Sequence, residues 1–223
     1  MSTSAANYKK ADVARRRQTR AALRHLSAAD SRLATLIRRI GPYTPKLTPD
    51  PFHALVGSIV HQQVSMAAAR AIRLRLAALC PRRRITPRAL LALSVDELRS
   101  AGVSRPKARY LRGLADAFAT RRLTPAGLRA GSDEEVIAAV TELPGVGRWT
   151  AEMLLIFCLE RPDVWPVDDL GLRTAVQRLL GLKTSPRPRE ILSFADPWRP
   201  YRSVATWYLW RSLDGPVEPA IGA

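Results

Sequence analysis

The chain has 223 residues, enough to bury a real core as one domain or as two small packed lobes, without disulfide staples. Its two cysteines, Cys80 and Cys158, exclude a disulfide framework and a four-ligand zinc or iron-sulfur centre, so no metal site is expected. A formal net charge of +17 draws such a protein to polyanions, nucleic acid first and an anionic membrane surface second, while no apolar run is long enough for a transmembrane helix.

Residues 1–26 carry Lys9, Lys10, Arg15, Arg16, Arg17, Arg20 and Arg24 against one acid, Asp12, with little apolar periodicity. They read as a basic arm able to turn helical on DNA, or as a solvated tail whose role is charge alone. The segment lacks the continuous apolar core of a signal peptide, so a cytoplasmic, nucleoid-associated protein is expected.

From residue 27 to 214 the punctuation is that of helices. Asp50-Pro51 supplies an N-cap and a first-turn proline, and Phe52, Leu55, Val56, Ile59, Val60 and Gln63 follow at helical spacing. Thr86-Pro87 and Thr124-Pro125 mark two further starts, and Ser94 to Glu97 and Ser132 to Glu135 have the capping-box form. After Ser104 the stripe Ala108, Leu111, Leu114, Ala115 and Phe118 is helical, with Arg105, Lys107, Arg109 and Arg112 mostly on other faces. Val136, Ile137, Val140 and Leu143 repeat the pattern. No stretch alternates with period two, so the fold class is all-α, with about nine to eleven helices. Residues 215–223, with two prolines and two glycines, read as a loose tail.

Leu143-Pro144-Gly145-Val146-Gly147-Arg148-Trp149-Thr150-Ala151 lies between a capped amphipathic helix and a strongly apolar one. Two glycines around one apolar residue permit a tight turn with Val146 in the core and the next helix starting with its amides outward. Such amides hold a phosphate without reading sequence. The same residues also suit a plain glycine cap and turn. Asp168-Asp169 comes next, with Asp169 just 22 residues past Gly147. A paired acid at a helix start serves as a cap and a dipole-stabilised first-turn charge; Asp168 is expected to cap while Asp169 faces a cleft.

Hairpin and aspartate together resemble the signature of the helix-hairpin-helix DNA glycosylases, Val167-Asp168-Asp169 with Leu172 matching the context of that family's catalytic aspartate. The likeness to the 3-methyladenine DNA glycosylase II branch runs from about residue 50 to residue 212. Pro51-Phe52 through Ile59-Val60-His61-Gln62-Gln63-Val64-Ser65 matches one of its segments, and Ala101-Gly102-Val103-Ser104 with Lys107, Ala108 and Tyr110 matches a second. Trp198-Arg199-Pro200-Tyr201-Arg202-Ser203 and Tyr208-Leu209-Trp210 match its C-terminal aromatic segment.

The resemblance implies two interwoven helical lobes within residues 27–214, with an active-site cleft between them. It makes Asp169 the catalytic carboxylate, Trp149, Trp210, Met153 and Leu170 the base pocket, and Gln62, Gln63, Ser65, Gly145, Val146, Gly147, Arg148 and Thr150 the DNA contacts. Gln63 falls where the family places its wedge. Trp149 stands where lyase members carry a Schiff-base lysine, which implies a monofunctional hydrolase. Met153 and Leu170 are aliphatic where some alkylation-repair enzymes have aromatics. Trp207 is read as core packing.

The resemblance thus implies a monomeric enzyme that flips and excises alkylated bases, of the 3-methyladenine type and extending to 7-methylguanine or 1-methyladenine, from double-stranded DNA. It needs no cofactor, although hairpin carbonyls in related proteins hold sodium or potassium. The competing readings are a glycosylase for deaminated or etheno purines, a non-catalytic helix-hairpin-helix protein that binds damaged DNA, and a basic protein of membranes or RNA.

Overall fold

A computed structural model describes residues 2–214, with side chains from residue 13; the C-terminal tail at 215–223 lies outside the described residues. Twelve α-helices succeed one another in chain order: α1 (Ser2–Ala29), α2 (Ser31–Ile40), α3 (Pro51–His61), α4 (Met66–Ala78), α5 (Pro87–Ala92) and α6 (Val95–Ser100), then α7 (Arg105–Ala119), α8 (Pro125–Ala130), α9 (Asp133–Thr141), α10 (Arg148–Phe157), α11 (Leu170–Leu180) and α12 (Arg202–Arg211). Three 3₁₀ turns join them, and there is no strand among the described residues. The all-α reading holds, with one helix more than the upper count from sequence. Residues 2–26 of the expected basic arm are part of α1, which runs unbroken to Ala29.

The chain divides into two compact units, residues 1–45 with 162–223 and residues 46–161. In the first, α12 is the central element: it packs on α1, α2 and α11, and every residue from Ser203 to Leu209 is buried. A helix buried on all sides has to be surrounded by others. Tyr208 keeps its hydroxyl satisfied there by donating to the Gly41 carbonyl at 2.8 Å, and burial pushes its pKa up to about 12. Trp207 is buried edge-on against Tyr43, as core packing requires. The boundary drawn at residue 26 falls inside α1, because Ala22 and Leu26 are buried where α1 packs on α2 and α12.

In the second unit α3 is central, touching α4, α7, α8 and α10. Asp50 caps it, accepting from the His53 amide at 2.8 Å, and Pro51 occupies its first turn. Phe52, Leu55, Val56, Ile59 and Val60 are all buried, as their spacing predicts. Gln63 is not on this face: the helix ends at His61, and Gln63 sits in the following turn with φ 55°. Both capping boxes form, at Ser94/Glu97 and Ser132/Glu135, and Thr86 and Thr124 cap α5 and α8. These caps give each short helix a defined start, since side-chain oxygens satisfy amides that have no intrahelical partner.

Candidate functional site

Two helix starts carry the sequence-predicted chemistry, one in each unit. The first is the hairpin between α9 and α10. The Val146 amide donates to the Leu143 carbonyl at 3.0 Å, closing the turn, and Val146 is buried. Gly145 has φ 84°, in the left-handed region, and a Cβ there would lie 2.2 Å from the Tyr110 ring. Only glycine satisfies both demands. Gly147 is the N-cap of α10 and offers no side-chain hydrogen bond; the first intrahelical acceptor, its own carbonyl, serves Ala151. The amides of Arg148, Trp149 and Thr150 therefore open the helix at the positive end of its dipole.

The turn after α3 is tied to this hairpin. Gln62 Nε2 donates to the Gly145 carbonyl at 2.8 Å. Lys107, which the spacing alone assigns to a solvated face, instead donates to the Val60 and Gln62 carbonyls at 2.9 and 2.6 Å. Burial lowers its pKa, yet an ammonium on orphan carbonyls at a helix C-terminus is well placed. Lys107 and Tyr110 are thus positioning residues. Both stand in the motif around residues 101–110, but a motif match by itself assigns them no role.

Gln62, Gln63, Ser65, Gly145 and Trp149 line one broad groove of the second unit, of ≈ 1950 Å³. That is larger than a small-molecule pocket and of a size suited to a polymer. Ser65 caps α4, accepting from the Ala68 amide at 3.2 Å. Trp149 is 46% exposed despite its size, and Met153, one turn on, is half-buried. At two of the expected DNA contacts the side chain is already engaged within the protein. The Thr150 side chain is buried, which leaves its backbone to meet a ligand, because the hydroxyl falls on the packed face of α10. Arg148 is held by Glu134 at 2.7 Å and by Glu152 at 3.3 Å, so a phosphate must compete with two carboxylates.

The second helix start is α11. Asp169, not Asp168, is its N-cap, with ψ 119°, and Leu170 is the first helical residue. Asp169 Oδ1 accepts from the Leu172 amide at 2.5 Å and from Trp210 Nε1 at 2.8 Å. The sequence pattern sets the aspartate pair one residue out of register: the helix begins later, so the carboxylate expected within the first turn caps it instead. Gly171 makes room for this arrangement, since a Cβ there would lie 3.2 Å from Asp169 Oδ1 and 3.4 Å from the Trp210 ring. Leu170 is 64% exposed beside it. Elsewhere in this unit Asp163 is clamped by Arg202 at 2.7 Å and Arg199 at 2.9 Å, fixing the entry to α12 and hence Trp210.

The family model for HhH-GPD superfamily base excision DNA repair proteins matches residues 56–200. The chain is 32% identical over 195 residues to the alkylbase DNA glycosidase-like protein mag2 of Schizosaccharomyces pombe, spanning 84% of this chain and 91% of that one. It is 33% identical over 193 residues to DNA-3-methyladenine glycosylase 1 of the same yeast, spanning 84% and 85% of the two chains. A solved structure of the Schizosaccharomyces pombe 3-methyladenine DNA glycosylase with abasic DNA superposes with a TM-score of 0.79 at 32% identity, covering 87% of this chain and 97% of that one. A DNA-3-methyladenine glycosidase from Bacillus halodurans superposes with a TM-score of 0.78 at 36% identity, covering 86% and 88%.

Proposed function

This chain belongs to the HhH-GPD superfamily of base excision DNA repair proteins, and from that premise we propose that it is a monofunctional DNA glycosylase excising alkylated bases, with Asp169 as its catalytic carboxylate. The observation that carries the assignment is the fixing of Asp169. Two N–H donors, one from the backbone of α11 and one from Trp210, hold Oδ1 in a single orientation. A carboxylate so oriented stabilises developing positive charge without reorganising.

In the reaction, the hairpin amides grip a phosphate and the nucleotide is extruded from the stack, at a cost that weakened pairing at a lesion reduces. The N-glycosidic bond breaks with its electron pair going to the base, and positive charge grows on the deoxyribose, where Asp169 stabilises it. Water then adds to the sugar carbon and gives up a proton. A 3-methyladenine nucleotide already carries positive charge, so its base leaves neutral and needs no protonation. Trp149 and Trp210 suit an electron-poor ring by stacking. With tryptophan rather than lysine at residue 149 no Schiff base forms there, and the product is an abasic site rather than a nicked strand.

The chemistry needs no cofactor. A sodium or potassium ion at the hairpin would share the Gly145 carbonyl with the Gln62 amide. The deciding experiment is mass spectrometry of bases released from methylated duplex DNA by the wild-type chain and by Asp169→Asn. Wild-type release of 3-methyladenine that the variant loses, with binding to abasic-site DNA retained, supports the assignment. Equal release by both overturns it.

A further inference from the structure

Between Asp50 and Asp96 the sequence contains no acidic residue, yet it contains seven arginines, Arg70, Arg73, Arg75, Arg82, Arg83, Arg84 and Arg88. A solvated surface ordinarily mixes charge signs, and so long a one-sign stretch sets up a field. The structure sorts these arginines. Arg75 is spent internally, its Nε donating to the Ala101 carbonyl at 2.8 Å. Arg70, Arg73, Arg83 and Arg84 are exposed and line the groove that also holds Gln63, Ser65, Gly145 and Trp149.

No Asp or Glu lines that groove among the described residues. None of these four arginines forms an ion pair there either, whereas Arg148, Arg161, Arg199 and Arg202 all do. On α4 Met66, Arg70, Arg73, Leu74 and Ala77 recur at helical spacing along the groove, beside the buried stripe of Ala69, Ile72 and Leu76. Met66 and Leu74 are 74% and 62% exposed, offering aliphatic surface beside the guanidinium groups. Past the end of α4, Arg82 and Arg83 both adopt left-handed backbone conformations, with φ 53° and 54°. Two successive non-glycine residues in that region are strained, and strain of this kind gathers at ligand clamps.

We infer that Arg70, Arg73, Arg83 and Arg84 form a second phosphate-binding track that grips the flanking DNA duplex independently of the hairpin. This rests on the DNA glycosylase reading and adds to it a contact surface on α4 and the turn after it. The 13 residues of α4 span about 20 Å, the length of about six base pairs, which is more than one hairpin can cover. Phosphate contacts of this kind fix register and orientation without reading bases. They let the enzyme hold undamaged duplex while it searches.

The test is the salt dependence of binding to an undamaged duplex oligonucleotide, with all four arginines changed to glutamine. Each lost phosphate contact removes about 0.9 from the slope of log affinity against log salt, so a flattening of about 3.6 is expected for four. Changing the four to lysine should restore most of the slope, which separates lost charge from lost folding. A control removes the same charge from Arg38, Arg39, Arg121 and Arg122, all outside the groove. An unchanged slope in the groove variant, or equal flattening in the control, overturns the track. Failure of the wild-type chain to release methylated bases while the slope still depends on the groove arginines would overturn the glycosylase reading instead.

Discussion

The starts of α10 and α11 are built from the same backbone geometry and put to opposite uses. At α10 the cap is Gly147, which brings no side chain, so the positive end of the helix has no capping side chain of its own. At α11 the cap is Asp169, which brings its own anion and holds it against the Leu172 amide and the Trp210 indole. One terminus is a receptor for charge; the other is a mounting for charge. The identity of one capping residue decides between them, and on the proposed reading the first takes the DNA phosphate while the second meets the cation formed on the sugar.

The largest effect should come from separating mounting from charge at α11. Asparagine caps a helix about as well as aspartate, so Asp169→Asn should leave thermal stability within about 1 kcal/mol while excision of 3-methyladenine falls about 10³-fold. Single-turnover release and a melting curve on the same preparation check this. If stability and excision fell together by a small factor, Asp169 would be a cap and nothing more. The converse experiment gives α10 the cap that α11 has. Gly147→Asp places a carboxylate over the amides that, on the proposed reading, take the phosphate, at φ −95° and with no atom near its Cβ. It should match or raise stability by about a few tenths of a kcal/mol and weaken duplex binding about 100-fold at low salt, measured by fluorescence anisotropy.

The sequence makes both helix starts visible but not the difference between them. Capping residues, first-turn prolines and the two capping boxes are local, so Asp50, Thr86, Ser94, Thr124 and Ser132 can be placed from spacing alone. The register of Asp168-Asp169 cannot, because two adjacent acids satisfy the same local rule and the tie is broken by Trp210, 41 residues away in the chain. Gln63 is misplaced for a similar reason: helical spacing continues in the sequence past His61, while the backbone turns at Gln62 to reach the hairpin. The pairing of Arg148 is hidden as well, because Glu134, which holds it, lies on another helix. Long-range polar contacts leave no periodic trace, and they are what the chain hides.

Lys107 tests how far the receptor side depends on such a contact. Replacing it with methionine keeps the stem but leaves the Val60 and Gln62 carbonyls without their donor. A loss of about 2 kcal/mol in unfolding free energy is expected from a charged hydrogen-bonding group of this kind. Because Gln62 also anchors the Gly145 carbonyl, abasic-site DNA should bind several-fold more weakly at a temperature where the variant is still folded. Chemical denaturation alongside anisotropy measures both. A stability loss with unchanged binding would show that the turn and the hairpin are not coupled.

The smallest expected effect bears on Arg148, the hairpin side chain paired with two carboxylates. The hydrogen bond from Arg148 holds the Glu134 carboxyl below its ordinary value of 4.5, and the pair is mostly exposed. An exposed pair contributes well under about 1 kcal/mol, so Glu134→Gln should change stability little. Freed from one carboxylate, Arg148 should tighten duplex binding about two- to threefold. The pair is fully formed above 4.5 and is lost as pH falls through the depressed value, so the variant's advantage should persist near neutrality and shrink in acid. An advantage independent of pH would mean that the substitution acts by some route other than releasing Arg148, and that Glu134 does not restrain the hairpin.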